Sequence, residues 1–343
     1  MTPDRFEKLT ARYAGLRIVV VGDFCLDRYL DIDPARGEIS IETGLPVHNV
    51  TGVRSQPGAA GTILNNLVAL GVGSVIPLGF CGEDGEGWEL LRALKNIAGV
   101  NPGRFVQTPE RRTFTYTKPL VHEPGRAPRE LSRLDLKNWS PTPPAVERKI
   151  AASLLELAAS ADAVIVMDQV DIAETGVVTT HVRDALREIA RAHPSLPVIA
   201  DCRRGLHGWP ACIWKMNARE LSVLARVAED DFGAIASAAA RLASGNGRAV
   251  FVTQAERGIL GADASGKTAH VAAQPVRGEI DIVGAGDSVS ANLTAALAAG
   301  ADLREAMELA MAAASIVIHQ VGTTGTASVS AMQGVIFPAH EPR

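Results

Sequence analysis

From residue 144 onward the chain alternates helical and extended segments with a regularity that few folds can accommodate. A helical pattern over 145–160 leads into an apolar strand over 163–167. A second helix over 177–192 leads into a strand over 198–200 that ends at Asp201. A short strand then runs into Lys215-Met216-Asn217, a helix starts at Ala218, 234–243 reads as helix and 249–253 as strand. Strands that alternate with helices imply a mostly parallel sheet covered on both faces. Near the start, the β-branched run 17–21, ending at Gly22-Asp23, reads as a buried first strand. The expected class is α/β, with a doubly wound, mostly parallel sheet.

Two stretches break that pattern. Residues 29–52 hold short alternating segments, Ile39-Ser40-Ile41 and Val47-His48-Asn49-Val50, and residues 113–121 alternate again, rejoined by 131–136. Together they suggest a small antiparallel β-lid over about 29–52 and 113–135, with 122–129 as a mobile loop. Between them, Gly58-Ala59-Ala60-Gly61-Thr62 opens a helix to Leu70, 74–80 reads as strand and 87–98 as helix. At 343 residues the chain exceeds the ~250–300 at which single cores stop growing, which suits one large domain, 1–343, with a small appendage. A hydrophobic share of 47% and a charged share of 21% are ordinary for a soluble protein. The net charge of −4, without a basic run, gives no sign of a nucleic-acid surface. Cys25, Cys81, Cys202 and Cys212 lack C-x-x-C spacing and read as buried apolar residues. The first 15 residues have no apolar signal core, and no run is long enough to cross a membrane, so a cytoplasmic protein is expected.

The chemistry concentrates at Asp281-Ile282-Val283-Gly284-Ala285-Gly286-Asp287. Residues 268–276 before it read as a strand and its exit, and the small, apolar run 288–299 after it as a buried helix ending at Gly300. Gly284, Ala285 and Gly286 therefore stand where a loop becomes a helix N-terminus. Free backbone N–H groups and the positive end of the helix dipole gather there and favour an anion. A carboxylate beside that point, Asp287, suits a general base working next to a transferring phosphoryl group. The plainer reading is a Gly-rich helix start with an Asp in its first turn.

Other residues admit two readings as well. Asn217 and Glu220, spaced i, i+3, can orient water around Mg²⁺, or can simply cap their helix. Thr253 and Gly258 flank a turn that could receive nucleotide. Asp168 ends an apolar strand, as ligand-side acid or as cap. Asp23 and Asp27 follow the carboxyl end of the first strand, where open parallel sheets bind ligands. Gly261-Ala262-Asp263-Ala264-Ser265-Gly266-Lys267-Thr268 fits the phosphate-loop pattern, but that pattern needs a helix after it. Here 269–273 reads as strand, so 263–266 is expected to be a hairpin turn.

Together these residues resemble the ribokinase-like (PfkB) carbohydrate kinases, and within them the kinase domain of bifunctional heptose-phosphate kinase/ADP-heptose synthases. The resemblance runs from about residue 16 to 330. It rests on Gly22-Asp23-Phe24-Cys25-Leu26-Asp27-Arg28-Tyr29, Ile39-Ser40-Ile41-Glu42 with Leu45-Pro46-Val47, and Pro57-Gly58-Ala59-Ala60. Arg133-Leu134-Asp135, Asn217-Ala218-Arg219-Glu220, Gly284-Ala285-Gly286-Asp287 and Gly322-Thr323 follow in order. It implies a ribokinase-like fold that uses ATP and Mg²⁺, admits a monovalent cation, acts on a sugar or sugar phosphate and is shared across a homodimer through the lid. Asp287 would be the base, with Gly284, Ala285 and Gly286 as anion hole. Asn217 and Glu220 would organise Mg²⁺ through water, and Thr253, Gly258 and Gly322 the nucleotide. Asp23, Asp27, Gly58, Thr62 and Asp135 would face the sugar. Arg112 and Lys118, with Arg111 beside them, are the cations expected to bind a phosphate already on the acceptor.

The chain departs from the family pattern at Thr62, where Asn is usual, at Val283, where Thr is frequent, and in its long loop 122–129. It holds no His-x-Gly-His nucleotidyltransferase motif, so only the kinase half is expected. Two alternatives stand beside this one: a kinase of a nucleoside or other small alcohol, and a non-catalytic sugar- or nucleotide-binding regulator.

Overall fold

The computed structural model describes residues 1–322 and 324–338. Its centre is an eight-stranded sheet. From one edge to the other the strands are Thr268–Val271, Ile259–Ala262, Val250–Thr253, Ile213–Asn217, Val198–Cys202, Ala163–Asp168, Arg17–Gly22 and Ser74–Leu78. The six strands from Val250–Thr253 to Ser74–Leu78 are parallel, and the two at the far edge run antiparallel. The β-branched run at the start explains its place near the middle. Ile18 and Val20 point into one layer of helices, Val19 and Val21 into the other, and all four are fully buried. Each such burial contributes about 1.5–3 kcal/mol.

The helices Ala60–Ala69, Ala285–Ala298 and Leu303–Val317 cover one face, and Pro144–Ala158, Thr180–Ala192 and Phe232–Asn246 the other. The alternation predicted from residue 144 onward is found, with boundaries shifted by a few residues. Among the described residues no helix is long and apolar enough to cross a membrane. All four cysteines are free and buried.

The lid is a second sheet of five strands, and it is larger than the alternation suggested. Phe24–Ile32 pairs antiparallel with Val50–Ala59 over its whole length, so the hairpin starts at residue 24 and ends at 59. The extra residues were hidden because Phe24 and Leu26 are buried in the main core, which masks the polar alternation. Thr115–Val121 joins the other side of Phe24–Ile32 in parallel, while Arg129–Glu130 and Leu134–Leu136 pair antiparallel with it. Residues around Ile39 form only a two-residue ladder, Glu38–Ile39 with Pro46–Val47. The loop 122–129 is tied at its end, where Arg129 pairs with Val121.

The phosphate-loop lookalike is a hairpin. Ile259–Ala262 turns into Thr268–Val271, and the Asp263 carboxylate accepts the N–H groups of Ser265 and Lys267 inside the turn. No helix follows that could hold phosphates.

Candidate active site

The helix Ala285–Ala298 starts directly behind Gly284, whose φ of +82° lies in the left-handed region that glycine adopts without strain. A Cβ there would only touch Thr62 and Thr324, at 3.4 and 3.5 Å, so it is the backbone angle that calls for glycine. The Ala285 N–H bonds the Ile282 carbonyl and the Ser288 N–H bonds the Gly284 carbonyl. The N–H groups of Gly286 and Asp287 meet no acceptor among the described residues. The helix then buries Ser288, Ser290, Asn292 and Thr294 completely. It tolerates them because Ser290, Asn292 and Thr294 bond back to carbonyls four residues earlier.

Beneath this turn lies a buried ion pair. Lys215 Nζ is 2.7 Å from Asp201 Oδ2, and Ser290 Oγ donates to the same oxygen at 3.1 Å. The ammonium is so close to the turn that a Cβ on Gly286 would stand 3.1 Å from Nζ. Burial alone would lower the Lys215 pKa, but Asp201 and, further off, Asp287 more than offset it, and Lys215 stays charged. Asp287 is pushed up to about 7, first by burial, then by Asp201 and Asp27, against the downward pull of Lys215. A carboxyl poised near neutrality thus stands beside two free N–H donors and a buried cation. Lys215 and Asp201 were not singled out from the sequence. The available signal was a lysine flanked by Ile213, Trp214 and Met216 in the strand Ile213–Asn217.

On the acceptor side, Asp27 is buried, 3.6 Å from Lys118 Nζ, and accepts the Cys25 thiol proton. Burial raises its pKa, and Lys118 pulls it back. Lys118 also lies over the Tyr29 ring and donates to its hydroxyl. Gly58 is required opposite, because a Cβ would come within 2.7 Å of the Asp27 carboxyl carbon. The strand registers place Asp27, Tyr116 and Asp135 in one row across the lid. Asp135 is held there by Arg133 at 2.8 Å, which stacks on Tyr116.

Three further residues expected on this side already have protein partners. Asp23 spends both carboxylate oxygens on the N–H groups of Gln169, Val170 and Val177, and so fastens the 169–177 segment. Arg111 is buried, and its guanidinium is consumed by Ser140 and by the carbonyls of Pro141 and Thr175. Arg112 is mostly exposed, with Asp84 at 3.6 Å. Of the cations expected to meet an acceptor phosphate, only Lys118 stands beside Asp27.

The nucleotide-side residues divide similarly. Asn217 and Glu220 form a reciprocal capping box, each accepting the other's N–H at 2.8 Å. Each therefore serves the helix with one oxygen, and Glu220 keeps a second oxygen free. No cluster of three or more His, Cys, Asp or Glu side chains able to cage a metal exists among the described residues. That donor set fits a cation that keeps its water shell, as Mg²⁺ does. Asn217, Arg219, Thr253, Gln254 and Arg257 line a cleft of about 570 Å³. Gly258 has a steric role: at φ +93° a Cβ would meet the Val271 carbonyl at 2.1 Å. Gly322 lies with its N–H 3.4 Å from Asp281, and its neighbour Thr323 falls outside the described residues. Asp168 is buried against Cys202 and paired with Arg204.

Residues 16–329 match the family described as pfkB family carbohydrate kinase. The chain is 31% identical over 340 residues to the "Bifunctional protein HldE" of Bradyrhizobium sp. (strain ORS 278), covering 98% of this chain and 66% of that protein. It is 33% identical over 331 residues to the protein of the same name from Hyphomonas neptunium, covering 95% and 64%. It thus spans just under two thirds of these relatives. Among solved structures, Arabidopsis thaliana ribokinase complexed with ribose and ATP superposes with a TM-score of 0.68 at 19% identity, covering 94% of this chain and 99% of that one. Phosphofructokinase-2 from Escherichia coli in complex with fructose-6-phosphate gives 0.67 at 19%, covering 93% and 97%. Both likenesses concern the fold.

Proposed function

This chain belongs to the pfkB family of carbohydrate kinases, and on that premise we propose that it moves the γ-phosphoryl group of ATP to a hydroxyl of a sugar or sugar phosphate, with Asp287 as base. The observation that carries this reading is Asp287 itself, raised to about 7 in the first turn of a helix whose Gly286 and Asp287 N–H groups are free. Near neutral pH such a carboxyl takes and returns a proton readily. It removes the proton of the acceptor hydroxyl as that oxygen bonds to phosphorus and the bond to the leaving ADP oxygen breaks. The free N–H groups and the Lys215 ammonium meet the charge that grows on the moving phosphoryl group.

Asp27, braced by Lys118, orients the acceptor's hydroxyls, with Gly58 giving it room and Thr62 closing the side next to Gly284. The nucleotide occupies the cleft beside Asn217 and Thr253. Mg²⁺, held through water by Glu220 and Asn217, would neutralise phosphate charge. The whole described chain works as one kinase domain, and the lid's outer residues suit contact with a second copy. Ile39, Leu45, Val53 and Leu134 are each more than half exposed there, at 61, 64, 53 and 65%. A chain that sediments as a monomer at working concentration would remove the homodimer.

The acceptor is the open point of chemistry, and the resemblance to heptose-phosphate kinases puts a sugar phosphate first. The test is ATP consumption coupled to ADP detection over heptoses, hexoses and pentoses, each with and without a phosphate. Preference for a phosphorylated acceptor by tenfold or more in kcat/KM is the expected result. Equal use of a sugar and its phosphate would remove the phosphate from the reading, and use of none would favour a binding regulator. In the same assay Lys267→Ala leaves ATP affinity and turnover unchanged, because Lys267 lies on the hairpin turn. Lost nucleotide binding in that variant would restore the phosphate-loop reading.

A further inference from the structure

The lid and the catalytic turn are far apart in sequence, yet a short run of side-chain bonds joins them. Gln56 lies in the lid strand Val50–Ala59 directly opposite Asp27, so both side chains share the lid's acceptor face. Its Nε2 donates to Thr324 Oγ1 at 2.6 Å. Thr324 also stands beside the Gly284 turn, 3.5 Å from where a Gly284 Cβ would be. The segment carrying it is stiffened from inside. Gln320 donates to the Thr326 carbonyl at 2.8 Å and accepts the Thr326 N–H at 3.0 Å. On the other side, the Gly322 N–H lies 3.4 Å from Asp281, which accepts the Val283 N–H at 3.0 Å and so shapes the residue before Gly284.

We propose that Gln56 is a positioning residue: through Thr324 it ties the acceptor-side lid to the turn that presents Asp287, so that the seated lid sets the geometry of the anion hole. The bond crosses 268 residues of sequence and is one of few direct polar links between the lid strand and this segment. A second link, from Asn66 to the Gly325 carbonyl at 3.4 Å, comes from the helix behind the lid and is longer and weaker. Among the described residues the Gln56 side chain makes no other hydrogen bond. Its partner is neither substrate nor metal ligand, and the bond is half-buried, so its worth to stability alone is small.

This inference rests on the kinase reading for its rate arm, and a second arm is independent of it. Hydrogen exchange of the ligand-free protein follows the bonded amides of Val283, Ala285 and Ser288. In Gln56→Ala and in Thr324→Val these amides exchange faster than in the wild type, while the core strand Arg17–Gly22 is unaffected. With an acceptor identified, Gln56→Ala lowers kcat by roughly two- to tenfold, the worth of one net hydrogen bond, with little change in the acceptor KM. The double variant Gln56→Ala/Thr324→Val is no worse than the poorer single one, because one bond is removed twice. Unchanged exchange at the turn in both single variants overturns the proposal even if no acceptor is ever found. Additive rate losses, or a loss confined to KM, overturn it where one is.

Discussion

Asp287→Asn lowers kcat by roughly 10²–10⁴-fold, the usual worth of a general base, and leaves ATP binding largely intact. The wild-type kcat/KM rises with pH, about tenfold per unit below 7, and levels off above it, because the base works only once its proton has left. The variant's residual rate lacks that step. The folding stability of the wild type moves the other way. The folded state raises the Asp287 pKa above the ordinary 3.8, so it holds the proton more tightly than the unfolded chain. The stability this contributes is present below pH 4 and is lost as the pH climbs through 7. At pH 8 the Asn variant, which carries no buried charge, is therefore at least as stable as the wild type. Near-wild-type turnover in a folded Asp287→Asn protein would take Asp287 out of the mechanism.

Lys215→Met removes one half of a buried pair and leaves the Asp201 carboxylate without its cation. Such a loss costs about 3–5 kcal/mol of stability, read as a lower urea midpoint at unchanged slope. Turnover falls with it, because the ammonium beneath Gly286 no longer meets phosphoryl charge. The two effects separate in Lys215→Met/Asp201→Leu. Replacing a buried pair by apolar side chains is often neutral, so this double variant regains most of its stability while its turnover stays low. If turnover returns along with stability, Lys215 is only a structural partner of Asp201. If Lys215→Met alone keeps wild-type turnover, the ammonium has no part in catalysis.

The features legible in the sequence share one property: their chemistry is local. The helix start at Gly284, Ala285 and Gly286 is such a feature, although the N–H groups it leaves free are those of Gly286 and Asp287, the Ala285 N–H being bonded to the Ile282 carbonyl. Asn217 and Glu220 were readable as a helix cap or as water-organising groups. The capping box holds, and it still leaves Glu220 an oxygen to spare. The hairpin that disguised itself as a phosphate loop was recognisable because 269–273 reads as strand where a phosphate loop needs a helix. The parallel sheet followed from the order of helices and strands in the same way.

What the sequence by itself determined was therefore the fold class and the glycine-rich helix start with a carboxylate in its first turn. Only the tertiary structure decided which charges remain available. Arg111 reads as a free cation until three carbonyls and a serine surround it, and Asp23 as a ligand-side acid until the 169–177 segment closes on it. Lys215 meets Asp201 only because two neighbouring strands pair in one register, and Gln56 meets Thr324 only because the lid folds back over the turn. A charge or a hydrogen-bonding group is spent or spared by partners tens to hundreds of residues away. Their placement comes from sheet register and topology, which no local pattern of residue types encodes.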